Sequence, residues 1–252
     1  MHTPPFESLL DLIGERSAAL REAAGKASPG DRVPGCPDWS LHDLVAHLGE
    51  VQRFWAAVVT AGPGRPPPAD EDVAGRVPGE DLLGWSEEST RILLRDLAEA
   101  GPDRGCWTWW QPSGAPQTAG AVARHQVQEA AVHARDAQEV ASQAGPLPLP
   151  VAVDGVAEYL EVALGSLGPW PGPPGRIAFR ADEGGQWHLG LGAAGAAMAQ
   201  PAAGGPEPGA TIHGSASDLV LFLYGRSCDG LVRVGGDRPV VDRLLAWALG
   251  AN

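Results

Sequence analysis

Apolar positions in the first 145 or so residues recur at the three-to-four-residue spacing of amphipathic helices, in four blocks divided by stretches rich in Pro and Gly. In "FESLLDLIGERSAALREAAG" the apolar side is Leu9, Leu10, Ile13, Ala18 and Leu20, and Gly25 supplies the stop. The second block follows "VPGCPDW". Ser40 with Asp43 three residues on is a capping-box pattern, and Leu44, Leu48, Val51 and Trp55 make the stripe behind it. A Pro- and Gly-rich linker leads to the third block, "DLLGWSEESTRILLRDLAEA", and the fourth runs from about Ala119 to Gln143. Between them lies "GPDRGCWTWWQPSGAPQ", whose Trp107, Trp109 and Trp110 read either as packing over the end of the helices or as a wall of a substrate pocket.

From "GPLPLP" onward the pattern changes. A helix, "VDGVAEYLEVAL", precedes short alternating runs, "RIAFRA", "QWHLGL", "ATIHGS" and "LVRVGG", with further helices at "SASDLVLFLYGR" and "PVVDRLLAWAL". The expectation is an all-α domain over residues 1–146 and a smaller α+β domain over 147–252, divided at "PLPLP", which reads as non-helical.

Charge and composition narrow the function classes. With 31 acidic against 18 basic residues the chain carries a net charge of -13, which disfavours nucleic acid and anionic membrane as partners. No apolar run reaches the ~20 residues of a membrane span, and "MHTPPFESLLDLIGER" lacks the basic start and apolar core of a signal peptide, so a soluble, cytoplasmic protein is expected. Cys36, Cys106 and Cys228 have no finger or disulfide-framework spacing; the first two are expected to be structural, and His188 and His213 in the strands are expected to be structural or surface residues.

The chemistry-bearing segment is "RHQVQEAAVHARDAQ". Glu129 and His133, four apart on a helix, point the same way, and their face also carries Val122, Gln126, Asp136 and Val140, more polar than a core helix presents. His47, on a face with Leu44, Val51 and Phe54, is directed inward, whereas His42 shares a face with Ala46, Gly49 and Arg53 and is expected to be exposed. Taken singly, each is as well read as a surface pair or a core histidine; together they become a site only if the two helices are neighbours.

The words "VPGCPDWSLHDLVAHLGEV", "ARHQVQEAAVHARDAQ" and "DGVAEYL", followed by "GSASDLVLFLYGR" and "VGGD", occur in an order and spacing that resembles the mycothiol-dependent maleylpyruvate isomerase family, within the DinB-like metalloenzyme superfamily. The likeness spans nearly the whole chain, and its most specific part is W-x7-H followed some eighty residues later by E-x3-H. It implies an N-terminal four-helix bundle of DinB type and a divalent metal, often zinc, held by His47, Glu129 and His133, with mycothiol as thiol cosubstrate. It also implies a cation for an anionic substrate, for which Arg226 in "LYGR" is the leading candidate and Arg124 the second. Gln126 and Asp136 are expected to orient the ligands. The implied reaction is addition of a thiolate to a conjugated double bond of a small electrophile, rotation, and elimination; some relatives stop at thiol transfer. Two other readings stay open: a thiol-independent tailoring enzyme using the metal as a Lewis acid, and a non-catalytic ligand-binding protein.

Overall fold

A computed structural model of the chain describes residues 3–200, 207–226 and 230–250, so Cys228 lies outside the described residues. The chain divides into two compact units, one of residues 3–108 and 116–147, the other of residues 109–115 and the described residues from 148 onward.

The first unit holds four long helices, α1 (Phe6–Ala24), α2 (Leu41–Ala61), α3 (Leu82–Ala100) and α4 (Ala119–Val140), each coinciding to within a few residues with one apolar block. Their starts are chemically marked. Ser40 accepts the Asp43 amide while the Asp43 carboxylate accepts the Ser40 amide, and Asp81 and Thr118 cap α3 and α4. α1 packs on α4 and α3, and α2 on α3 and α4. Ala130, Ala134 and Ala137 of α4 share one buried cluster with Leu20, Ala23 and Ala24 of α1 and Leu41, Leu44, Val45 and Leu48 of α2.

A two-stranded hairpin that the apolar pattern does not announce, β1 (Arg32–Val33) with β2 (Cys36–Ser40), runs directly into α2. It is pinned by the Leu41 amide on the Asp31 carbonyl and by Arg32 on the Asp38 carbonyl, and it lays Cys36 and Trp39 against the α2–α4 cluster. His42 is exposed, as its face suggests, but Ala46, Gly49 and Arg53 on that face are buried, Gly49 and Arg53 against Trp85 and Ser89 of α3. A Cβ on Gly49 would fall inside van der Waals contact with the Trp85 ring, whose indole is itself held by the Gly75 carbonyl at 2.7 Å. Gly49→Ala therefore gains about 1 kcal/mol of helix propensity yet is expected to lose about 1–2 kcal/mol of net stability in denaturant titration, because overpacking outweighs it.

The second unit contains a five-stranded sheet in the order β5-β4-β3-β6-β7, with β3 (Gly175–Ala181), β4 (Gln186–Gly192), β5 (Gly195–Met198), β6 (Ala210–Gly214) and β7 (Arg233–Gly236). All pairings are antiparallel except β3 with β6. The parallel pair follows from the route of the chain, which makes the β3–β4–β5 meander before returning along β3 as β6. Helix α6 (Ala216–Leu223) packs on β3 and β6 and against α5 (Leu149–Glu158), while α7 (Arg238–Leu249) lies by β6 and β7. The four alternating runs are strands, and β5, "GAAM", is a fifth that its small side chains conceal. The expectation that "PLPLP" is non-helical is corrected: Pro148 caps α5 and Leu149 and Pro150 form its first turn, where a missing amide costs nothing. Beyond Glu158 the helix widens into a π turn over Tyr159–Ala163. No described helix is long and apolar enough to cross a membrane.

Candidate metal centre

Helix α4 sets three polar side chains in register on the side facing α2. Glu129 and His133 lie one turn apart, and Asp136 follows three residues on. From α2, His47 meets them, so that the ligand atoms of His47, Glu129 and His133 all lie within 4.8 Å of one another. Glu129 Oε2 stands 3.4 Å from His133 Nε2 and 4.0 Å from His47 Nε2. A cation with metal–ligand bonds of about 2.0–2.1 Å in tetrahedral geometry needs donors about 3.4 Å apart. The two imidazoles and the carboxylate thus fit such an ion with small adjustments, and they leave a side of it open.

The other ring nitrogen of His133 is fixed. Its Nδ1 is 3.2 Å from Asp136 Oδ2, and Asp136 is fully buried. A carboxylate on Nδ1 selects the tautomer whose Nε2 lone pair points at Glu129 and His47. Gln126, also fully buried on α4, has no hydrogen-bond partner for its amide among the described residues, so the orienting bond on His133 comes from Asp136. Trp39 closes one side: its ring centroid is 4.6 Å from that of His47 and 5.9 Å from that of His133, and the two imidazoles meet edge to face at 5.2 Å.

Electrostatics follow from this crowding. Burial alone raises the Glu129 carboxyl, but the hydrogen bond and charge of His133, with the fields of His125 and His47, outweigh it and hold the group down at about 2. Burial alone depresses His133, but its bonds to Asp136 and Glu129 and their charges lift it to about 9. His47 is pushed down to about 4 by burial and by the neighbouring His133 cation, against the pull of Glu129. An ionised carboxylate and one neutral imidazole therefore stand ready at neutral pH, and the second imidazole holds a proton that an incoming cation displaces.

His125 is a neighbour of this centre that pattern reading passes over. It lies one turn before Glu129, with Nε2 3.7 Å from Oε1, so the carboxylate has an imidazole on each side. The H-x3-E-x3-H run was the available signal. His125 also meets Trp55, which stacks on Trp107 at 6.1 Å with Phe54 edge-on to both, giving an aromatic wall beside the carboxylate. Of the three loop tryptophans only Trp107 belongs to the helical unit; Trp109 and Trp110 belong to the sheet unit, where Trp110 is buried. Arg124 is half-buried on α4. Arg226 lies in the sheet unit just after α6, its guanidinium donating to the Tyr224 carbonyl at 2.8 Å. His213 bonds Asp182 and Arg233 at the surface of that unit. Cys106 is buried, and burial, partly offset by Arg104, raises its thiol to about 11, which makes it inert at neutral pH.

The sequence matches the Mycothiol maleylpyruvate isomerase N-terminal domain over residues 10–138 and the MDMPI C-terminal domain over residues 150–243. Comparison with curated proteins returns no match. Among solved structures, mycothiol-dependent maleylpyruvate isomerase superposes with a TM-score of 0.64 at 18% identity, and a histidine-to-alanine variant of such an isomerase with 0.63 at 17%. Each alignment covers 95% of this chain and 98% of the other, and at that identity the two show a shared mixed helical and sheet fold. By the span of its two sequence matches, the chain belongs to the mycothiol maleylpyruvate isomerase family, a family of enzymes.

Proposed function

We propose that the protein is a divalent-metal-dependent, mycothiol-dependent isomerase of a small carboxylated electrophile of the maleylpyruvate kind, its helical unit, residues 3–108 and 116–147, being a four-helix bundle of DinB type and its sheet unit a second domain. The observation that carries this reading is the convergence of His47, Glu129 and His133, from two helices, in a chain of this family. When bound, a divalent ion, zinc in the first instance, supplies Lewis acidity and lowers the pKa of a thiol beside it.

The chain's own residues prepare that chemistry. Glu129 contributes the negative charge and His47 a neutral lone pair. Asp136 holds His133 so that Nε2 faces them. Trp39 packs over both imidazoles, restricting their rotation and excluding water from one side. The open side is left for the thiol and the substrate. The thiolate adds to the conjugated double bond, the resulting single bond rotates, and expulsion of the same thiolate yields the trans isomer with no net change in composition. Arg226, and after it Arg124, are the proposed guanidinium groups for a substrate carboxylate.

The test is an isomerisation assay on maleylpyruvate with metal-loaded and chelator-treated protein, with and without mycothiol. Turnover is expected only when both are present, at least about 100-fold above either omission. Turnover without thiol would overturn the thiol reading and favour a Lewis-acid enzyme; a stable thiol adduct as sole product would replace isomerisation by transfer.

A further inference from the structure

His133 belongs to two overlapping donor sets. On its Nε2 side stand Glu129 and His47; on its Nδ1 side stand Asp136 and Cys36, and the ligand atoms of Cys36, His133 and Asp136 also lie within 4.8 Å of one another. We propose that Cys36, His133 and Asp136 form a second cation site, for thiophilic metals such as Cd2+ or Cu+, whose occupation is mutually exclusive with that of the His47–Glu129–His133 set.

The geometry suits a soft ion. Asp136 Oδ2 is 3.2 Å from His133 Nδ1 and 4.0 Å from Cys36 Sγ. Even zinc-length bonds of about 2.1 Å to nitrogen or oxygen and about 2.3 Å to sulfur put tetrahedral donors about 3.4–3.6 Å apart, and the larger Cd2+ spaces them more widely, so capture needs shifts of about 1 Å or less. His133 and Asp136 are one turn apart on a rigid helix, and Cys36 comes from the hairpin packed against it. Cys36 is half-buried, hence reachable, whereas Asp136 is fully buried and brings negative charge that a cation neutralises. Thiolate is the donor that separates this set from the other, because it favours Cd2+ and Cu+ over harder ions.

Exclusion follows from the imidazole. A neutral ring has one lone pair. With Nδ1–H donated to Asp136, that pair is on Nε2 and serves the first set; with a cation on Nδ1, the ring proton moves to Nε2 and is donated toward Glu129 Oε2, 3.4 Å away. The Cys36 thiol proton, together with any second proton on the His133 ring, leaves to solvent, and His133 is withdrawn from the first set. A thiophilic ion thereby inhibits without competing for substrate. The exclusivity rests on the metal reading of the first set; the thiophilic site does not.

The test titrates metal-free protein with Cd2+ and follows the ultraviolet thiolate-to-cadmium charge-transfer band. One equivalent is expected to saturate the band in the unaltered protein and in His47→Ala, with loss of the band in Cys36→Ser and at least tenfold weaker binding in Asp136→Asn. Absence of the band in the unaltered protein, or its persistence in Cys36→Ser, overturns the site. Should Cys36→Ser fail to fold, alkylation of Cys36 in the unaltered protein, mapped by mass spectrometry, decides: Cd2+ is expected to slow it at least tenfold, and unchanged alkylation overturns the site. A protein with the band but without mycothiol-dependent turnover refutes the proposed function and leaves this site standing. A mycothiol-dependent isomerase without the band loses this site alone.

Discussion

His133→Ala is expected to emerge from purification with almost no divalent metal, its affinity lowered by more than about 100-fold, since loss of an orienting neighbour alone costs 10–100-fold. The side chain acts at three points. It offers Nε2 to the set shared with His47 and Glu129, it bonds Glu129 across 3.4 Å, and it is the partner of Asp136 at 3.2 Å. Removing it also leaves the fully buried Asp136 carboxylate without that partner, a cost of about 1–3 kcal/mol in stability. His47→Ala, whose imidazole is one-third exposed, should lose metal by a similar factor with less effect on folding. Elemental analysis and chelator competition measure the first effect, and denaturant titration separates it from the second. Full metal content in folded His133→Ala would remove this residue from the ligand set.

Metal uptake is expected to release about one proton per ion near pH 7, with affinity rising about tenfold per pH unit until about pH 9. In the metal-free protein Glu129 is ionised, being held at about 2, and His47 is neutral, being held at about 4, so neither has a proton to give up at neutral pH. His133 is the group that must lose one: burial opposes its charge, but Asp136 and Glu129 sustain it up to about 9. The sign is therefore fixed. Acid favours the proton on His133, alkali favours the ion, and below about pH 4 a second proton on His47 steepens the loss. Calorimetric titration in two buffers of different ionisation enthalpy reads the proton count. Affinity that stays flat between about pH 6 and 8 would mean that His133 is already neutral and that the Asp136 interaction does not charge it.

Much of the helical unit was legible because amphipathic periodicity and capping chemistry are local. The α1 stop at Gly25 and the Ser40–Asp43 box need only neighbouring residues to be recognised. The β1–β2 hairpin escaped because two prolines and mixed polarity hide so short a pair, and β5 because "GAAM" has neither β-branching nor alternation. Leu149 and Pro150 misled for a related reason: proline breaks a helix interior but is tolerated in the first turn, and which position it holds is settled by where the preceding chain enters. Inward placement of His47 was readable from its apolar companions, but burial of Arg53 was not, since that face of α2 is covered only when α3 lies on it and Arg53 bonds Ser89 there.

The candidate centre divides along the same line. By itself the sequence determined the family, the helical spacing that puts Glu129, His133 and Asp136 on one face, and the inward bias of His47, all properties of nearby residues or of words in order. Only the tertiary structure decided that His47, 82 positions before Glu129, reaches within 4.0 Å of it, that Asp136 and not Gln126 holds Nδ1 of His133, and that Cys36 stands at that same nitrogen's carboxylate. The physical reason is that a helix fixes directions within itself, whereas distances between helices are set by packing. Here one buried cluster, to which α1, α2 and α4 all contribute, sets α2 against α4 and brings His47 within reach of Glu129.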